Sequence, residues 1–245
     1  MKIYEDAARA TLQIECGSFR GSGFFINSLE LIITNHHVIE KYKPGVFNIF
    51  GKTESGQQSE LELIANSSKK DEDFAILRAK KNFGQNSHFL EPKILNSYER
   101  GKAVIFSGFP HGIPHLLVQN AVIAGNITDN TFYIDGSVNG GNSGGPIIDL
   151  TDGKVIGIVT QRRYLNIQEF EDLQKEFEQI QNYFQKISGQ GKVNIMGIDF
   201  MTFAEMQAKA ILLIKKLIEL NTNVGIGIGF SIRFAVEELQ RRKII

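Results

Sequence analysis

Ser143 stands in the run Asn139-Gly140-Gly141-Asn142-Ser143-Gly144-Gly145-Pro146, a hydroxyl framed by four glycines and closed by a proline. Glycines on both sides let backbone approach a substrate and take torsions closed to other residues, so the N–H groups of Gly141 and Ser143 can converge on one oxygen. That is the chemistry of a nucleophile beside an oxyanion hole. A glycine-rich turn with an incidental serine is the plain alternative, and the rest of the chain must decide between them.

A nucleophilic serine needs a base and a group to orient it. The histidines are His36, His37, His88, His111 and His115, all upstream of Ser143, and Pro146 leads into a β-branched run. That excludes the strand-turn-helix elbow of α/β-hydrolases, where histidine follows the serine. Thr34-Asn35-His36-His37-Val38 offers two adjacent histidines after an apolar strand, of which one can face the serine. For the acid, Asp73 leads an apolar run, Phe74-Ala75-Ile76-Leu77, that would bury it; a desolvated aspartate fixes the imidazole tautomer and stabilises the imidazolium. Asp71 and Glu72 sit in a charged run and are read as solvated. Adjacent His36 and His37 lack a third ligand at metal-site spacing, so neither metal nor cofactor is expected. Gly225-x-Gly227-x-Gly229 lacks the lysine or serine contacts and the helix start of a phosphate loop.

The elements that must position these groups are mostly short β-like runs broken by turn residues. Thr11–Ile14, Gly23–Ile26, Leu31–Thr34, Val46–Phe50, Glu60–Ile64 and Asp73–Leu77 form one group. A polar stretch from about Lys80 to Arg100 reads as a linker. Ala103–Phe106, Leu116–Ala124, Phe132–Ile134 and Val155–Thr160 form a second group. The period then changes. Ile167, Phe170, Leu173, Phe177, Ile180, Phe184 and Ile187 recur at steps of three and four, the stripe of an amphipathic helix. Thr202-Phe203-Ala204-Glu205 has the form of a capping box opening a second helix to about Leu220. Strand-like alternation returns from Val224 to Ile232 before a last helix over 234–242. The expected organisation is a lobe over 1–95 and a second lobe over 96–245, with a helical hairpin inserted at 165–221.

With 245 residues, 42% of them hydrophobic, the chain can bury a sizeable core. Its 27 basic and 27 acidic residues cancel, so no nucleic-acid groove or polybasic membrane patch is expected. No apolar run reaches membrane-spanning length. Cys16 is the lone cysteine, and the start carries Glu5 and Asp6 where an export signal would be apolar. Both point to a cytoplasmic protein.

The order His, Asp, Ser, with the three motifs Thr34-Asn35-His36-His37-Val38, Asp73-Phe74-Ala75-Ile76-Leu77 and Gly141-Asn142-Ser143-Gly144-Gly145-Pro146, resembles the trypsin-like serine peptidases, and among them the HtrA/Deg branch. Gly227-Ile228-Gly229-Phe230-Ser231-Ile232 is similar to the last barrel strand of that branch. The resemblance covers about 1–163 and 224–240. It implies a mainly β fold of two antiparallel barrels of chymotrypsin type, with the inserted helical hairpin and C-terminal helix as additions. It makes His37, which directly precedes the valine of its motif, the general base, Asp73 its orienter and Ser143 the nucleophile. Gly141, Asn142 and Ser143 would form the oxyanion hole. Gly140, Ile158, Val159, Thr160 and Arg162 would line the substrate, and Ser137 would sit at the base of the S1 pocket.

Two departures from the digestive enzymes carry information. Asn142 stands where they have the aspartate that pairs with a newly cut N-terminus, so that activation is ruled out. Ser137 stands where an aspartate would select Lys or Arg. The resemblance therefore implies an uncharged, small-to-medium P1 residue; an acidic one also fits if Arg162 and Arg163 face the pocket rather than solvent. The branch usually appends a PDZ domain, and the stretch after Arg233 is too short for one. Partners implied are a protein or peptide substrate and, through helices 166–187 and 202–220, a regulator or second subunit. A module of this fold that binds peptides without turnover is the competing expectation.

Overall fold

The computed structural model describes residues 2–69, 72–84, 87–162, 175–183, 186, 194–195, 198–221 and 225–245. The chain divides into two compact units, Met1–Arg163 with Gly225–Ile245, and Tyr164–Val224.

The first unit holds two closed antiparallel barrels, the mainly β architecture expected. The first barrel comprises β1 (Thr11–Cys16), β2 (Phe19–Phe25), β3 (Leu31–Thr34), β4 (Ile49–Thr53), β5 (Gln58–Ser67) and β6 (Phe74–Ala79), in the order β1-β2-β3-β6-β5-β4. The second begins with β7 (Ala103–Gly108), β8 (Leu117–Thr128), β9 (Thr131–Asp135), β10 (Pro146–Asp149) and β11 (Val155–Arg162). Beyond the short strands β12 (Asn194–Ile195) and β13 (Ile198–Asp199) of the other unit, it closes with β14 (Ile226–Ser231), in the order β10-β11-β14-β9-β8-β7.

Side chains alternate across each strand, and here both faces are used. Phe25 and Ile32 point into the first barrel with Leu12, Ile49, Leu61 and Leu77. Their neighbours Phe24 and Ile33 face the other way, into a cluster with Ile76 and with Ile105, Ile148, Val155 and Ile158 of the second barrel. Ala235, Val236 and Leu239 of the terminal helix, Arg233–Arg241, complete that seam. An apolar seam shared by both barrels fixes their mutual orientation, and loops from each meet along it.

The chain opens with a helix, α1 (Lys2–Ala10), ahead of the first strand expected at Thr11. Its buried positions are Ala7 and Ala10. Alanines are strong helix formers but bury so little apolar area that the stripe is faint in sequence. In the linker, Leu90 bridges to Ile26 and Pro92 to Val155. Lys93 then anchors it. Asp149, with 0% of its surface exposed, accepts from Lys93 Nζ at 2.8 Å and Lys102 Nζ at 2.7 Å, and from the Thr151 hydroxyl. Burial alone would raise the Asp149 carboxyl, but the bonds from Lys102, Lys93 and Thr151 outweigh it and hold it well below the usual carboxylate range. A depressed folded value means the unfolded chain binds the proton first. The contribution is therefore complete above about pH 4, the ordinary aspartate value, and fades as acid titrates the folded protein. Asp149→Ala, which takes this partner from Lys102 and leaves Lys93 only Asp152 at 2.7 Å, is expected to cost about 2–4 kcal/mol in urea unfolding at neutral pH.

In the second unit, 175–183 are helical within the first expected helix, most of whose remaining residues lie outside those described. The second helix runs Phe200–Asn221 and begins two residues before the expected capping box, because β13 feeds straight into it.

Candidate active site

His37 opens a short 3-10 turn, His37–Ile39, which follows β3 after Asn35 and His36. Its Nδ1 lies 2.7 Å from Asp73 Oδ2, and its backbone N–H donates to Asp73 Oδ1 at 3.0 Å. A carboxylate only accepts, so Nδ1 carries the proton, and in the neutral ring Nε2 presents the lone pair. Asp73 precedes β6 rather than belonging to it, and its φ of +31° is left-handed, a conformation aspartate tolerates better than most residues. It is held there by Asn35 Nδ2, which donates to the Asp73 carbonyl at 2.8 Å, and by its own N–H on Lys69 O at 3.0 Å. A third donor reaches the carboxylate across the seam, Thr160 Oγ1 to Asp73 Oδ2 at 2.9 Å. Ser143 Oγ donates to the Thr160 carbonyl at 2.9 Å. Thr160 thus touches both the acid and the serine, and its place at the register shift between β11 and β14 frees it to do so.

The loop before Ser143 has a definite sense. Across a trans peptide the C=O and N–H point opposite ways. Gly140 O accepts from His111 N–H at 2.7 Å, so Gly141 N–H faces the other side; Asn142 O accepts from Gly145 N–H at 2.9 Å, which turns Ser143 N–H likewise. Among the described residues neither N–H has an acceptor. The Asn142 N–H is spent on Asn139 O at 3.0 Å, and its carboxamide is buried without a partner among the described residues. Three positions of this loop admit only glycine: Gly145, whose Cβ would stand 2.1 Å from Ser107 O, and two that are also left-handed. Gly141 has φ +94°, and a Cβ there would stand 2.3 Å from Phe109 O. Gly144 has φ +89°, and its Cβ would stand 2.1 Å from Ser22 O.

The remaining expected residues scatter more. Gly140 lies on the loop, half-buried. Ile158 and Val159 are interior, 1% and 0% exposed, between β10 and β14, so of that segment Thr160 alone turns to the site. Ser137 is exposed and accepts from Asn139 Nδ2 at 3.1 Å, while its neighbour Val138 is buried and packs on Gly227, where a Cβ would meet Val138 Cγ2 at 2.3 Å. The Arg162 backbone pairs with Gly227; its side chain, and all of Arg163, lie outside the described residues. Asn35 and Ser22 were not singled out from sequence. A small polar residue inside an apolar strand or directly after one is the signal that marks each, since a buried polar group must find a partner.

The family model of the trypsin-like peptidase domain matches residues 21–158, more than half of the chain and all three motifs. The chain belongs to the trypsin-like peptidase family. Its relatives include a probable periplasmic serine endoprotease, DegP-like, from Rickettsia conorii, 35% identical over 57% of this chain and 28% of the relative. A protein of the same description from Halomonas elongata is 33% identical over 58% and 29%. The chain therefore spans under a third of the length of these relatives. Among solved structures, the serine endoprotease from Yersinia pestis superposes with a TM-score of 0.55 at 26% identity, over 65% of this chain and 58% of that one. The relatives' names overturn the cytoplasmic location expected from the charged start and lone Cys16, since both are called periplasmic. A single cysteine allows no internal disulfide in any compartment, so it does not discriminate.

Proposed function

We propose that this peptidase-family chain is a serine endopeptidase of the DegP type that cleaves protein substrates in the periplasm. The observation that carries it is the convergence of His37, Asp73, Thr160 and Ser143 across the seam, with Gly141 and Ser143 N–H groups left without acceptors beside them. Ser143 Oγ turns about its Cα–Cβ bond from the Thr160 carbonyl to His37 Nε2, which takes its proton as Oγ attacks the scissile carbonyl carbon. The C=O electron pair moves onto oxygen, and the N–H groups of Gly141 and Ser143 receive it. Imidazolium, stabilised by Asp73, then protonates the leaving amine and the C–N bond breaks, leaving the acyl-enzyme. Water, deprotonated by His37, hydrolyses the ester and restores the hydroxyl.

The P1 residue is uncharged and small to medium. Supporting this, Ser137 brings no charge and the buried Val138 side chain fills space against Gly227. The reading that the fold binds peptides without turnover draws on the Ser143 hydroxyl resting on Thr160 O instead of on His37. Digestion of fluorescein-labelled casein separates the two: the parent chain is expected to release fluorescence and Ser143→Ala to release none, whereas equal traces refute the peptidase.

The hairpin over 165–221, inserted between β11 and β14, regulates the site or holds a partner. Met206 and Leu213 on its long helix are exposed to 64% and 63%, which supports an interface. Deleting 166–221 is expected to change casein turnover at least about fivefold, or the assembly state seen by light scattering; unchanged values of both would remove the idea. The lobe boundary near residue 95 is proposed with it.

A further inference from the structure

Ser22 belongs to β2, yet every polar atom it has is committed at the other barrel or at the strand beside it. It is completely buried. Its Oγ donates to Gly141 O at 2.7 Å and accepts from Phe109 N–H at 2.9 Å. Its N–H donates to Ser143 O at 2.8 Å, and its carbonyl accepts from Thr34 Oγ1 at 2.6 Å. One residue of the first barrel thus grips the carbonyls on both sides of Asn142. Room is left for the hydroxyl: a Cβ on Gly108 would come within 2.7 Å of it.

We propose that Ser22 is a positioning residue for the oxyanion hole, its hydroxyl locking the Gly141 carbonyl so that the Gly141 and Ser143 N–H groups keep facing the reacting oxygen. This rests on the serine peptidase reading of the site. Gly141 has no side chain to restrict it, so the peptide units around it turn easily unless each carbonyl is tied. The Gly140 carbonyl is held by His111 N–H and the Asn142 carbonyl by Gly145 N–H, both backbone bonds that survive any side-chain change. The Gly141 carbonyl between them accepts from a side chain, and the other end of its peptide is held by Asn142 N–H on Asn139 O at 3.0 Å. Without the Ser22 hydroxyl, that carbonyl and the Phe109 N–H are both left unpaired, and an unpaired buried polar group is costly. Rotating the Gly141–Asn142 peptide toward water relieves the carbonyl, but it swings Asn142 N–H off Asn139 O and changes the torsions on either side, so the Gly140–Gly141 and Asn142–Ser143 peptides that carry the two hole donors lose their mutual alignment. Phe109 and His111 flank Pro110, so the same short segment supports Ser22 and Gly140, and the two clamps act on one loop from one side.

The test compares the parent with Ser22→Ala and with Ser22→Cys, close in shape but a weak donor that keeps the pocket filled. Both are measured by casein turnover, by the rate of fluorophosphonate labelling across pH, and by thermal melting. The expected result is a fall in kcat of about tenfold to a hundredfold, part of what loss of a whole oxyanion donor costs, with KM within about twofold. The acid inflection of the labelling rate should stay at the parent's pH, because the His37–Asp73 pair is untouched, while its plateau drops. A general loss of fold would instead lower melting and the fraction of labelled protein together. Should the alanine variant not fold, Ser22→Cys decides. An active parent with a folded variant of undiminished kcat overturns the inference alone; a parent that neither digests casein nor labels overturns the peptidase reading beneath it.

Discussion

Asp73→Asn is expected to lower kcat about 10⁴-fold while leaving the fold intact. The orientation of the new amide follows from the bonds already present. His37 N–H donates to Oδ1 at 3.0 Å, so the amide oxygen takes that place and the NH₂ group takes the place of Oδ2. That puts a donor where His37 Nδ1 now gives its proton at 2.7 Å. The imidazole answers by moving its proton to Nε2, the atom that must accept from Ser143. Thr160 Oγ1 can reverse its hydroxyl and accept from the new NH₂, so nothing else in the site has to move. The measurement is steady-state casein turnover with thermal melting as control. A kcat within about tenfold of the parent would show that His37 does not work through Asp73.

The second large effect belongs to Gly141. A methyl at Gly141 must occupy space 2.3 Å from Phe109 O and 2.9 Å from His111 N, at a backbone torsion unfavourable for L-residues. The loop can escape only by rotating, which breaks the Gly140 carbonyl's bond to His111 N–H and turns the Gly141 N–H from its present side. Gly141→Ala is expected to lower kcat about 10²- to 10³-fold, the loss typical of one missing oxyanion donor. Affinity for a peptide boronate, which needs the hole, should fall with it, and affinity for an uncleaved product peptide should not. Equal losses for both ligands would mean that the loop shapes the substrate cleft and not the hole.

Asp73 and Gly141 carry chemistry that was legible in sequence, and they act through contacts that were not. His37, Asp73 and Ser143 stood out because each sits in an apolar or glycine-rich setting that a reactive polar group does not enter by chance, and the structure brings His37 against Asp73. Two barrels were legible because short alternating strands with turn residues leave few other solutions. Ser22 was passed over: it stands between two glycines just ahead of Gly23–Ile26, outside any strand read from the sequence. Its role exists only through Gly141 and Phe109, well over a hundred and over eighty positions away. Thr160 was assigned to substrate by its strand, whereas the register shift beside it aims its hydroxyl at the Asp73 carboxylate. The α1 helix was hidden because its buried face is alanine. Localisation failed for a different reason, since composition speaks of solvent and redox chemistry and these do not separate compartments when only one cysteine is present.

The central claim, that Ser143 is a nucleophile activated by His37, is tested most directly by fluorophosphonate labelling of the parent, Ser143→Ala and His37→Ala. Phosphonylation forms a bond from Oγ to phosphorus with loss of fluoride, and it requires the hydroxyl, the base and the hole together. The expected result is a single labelled site in the parent, at Ser143 by peptide mapping, and no labelling of either variant. Labelling that persists in Ser143→Ala would contradict it.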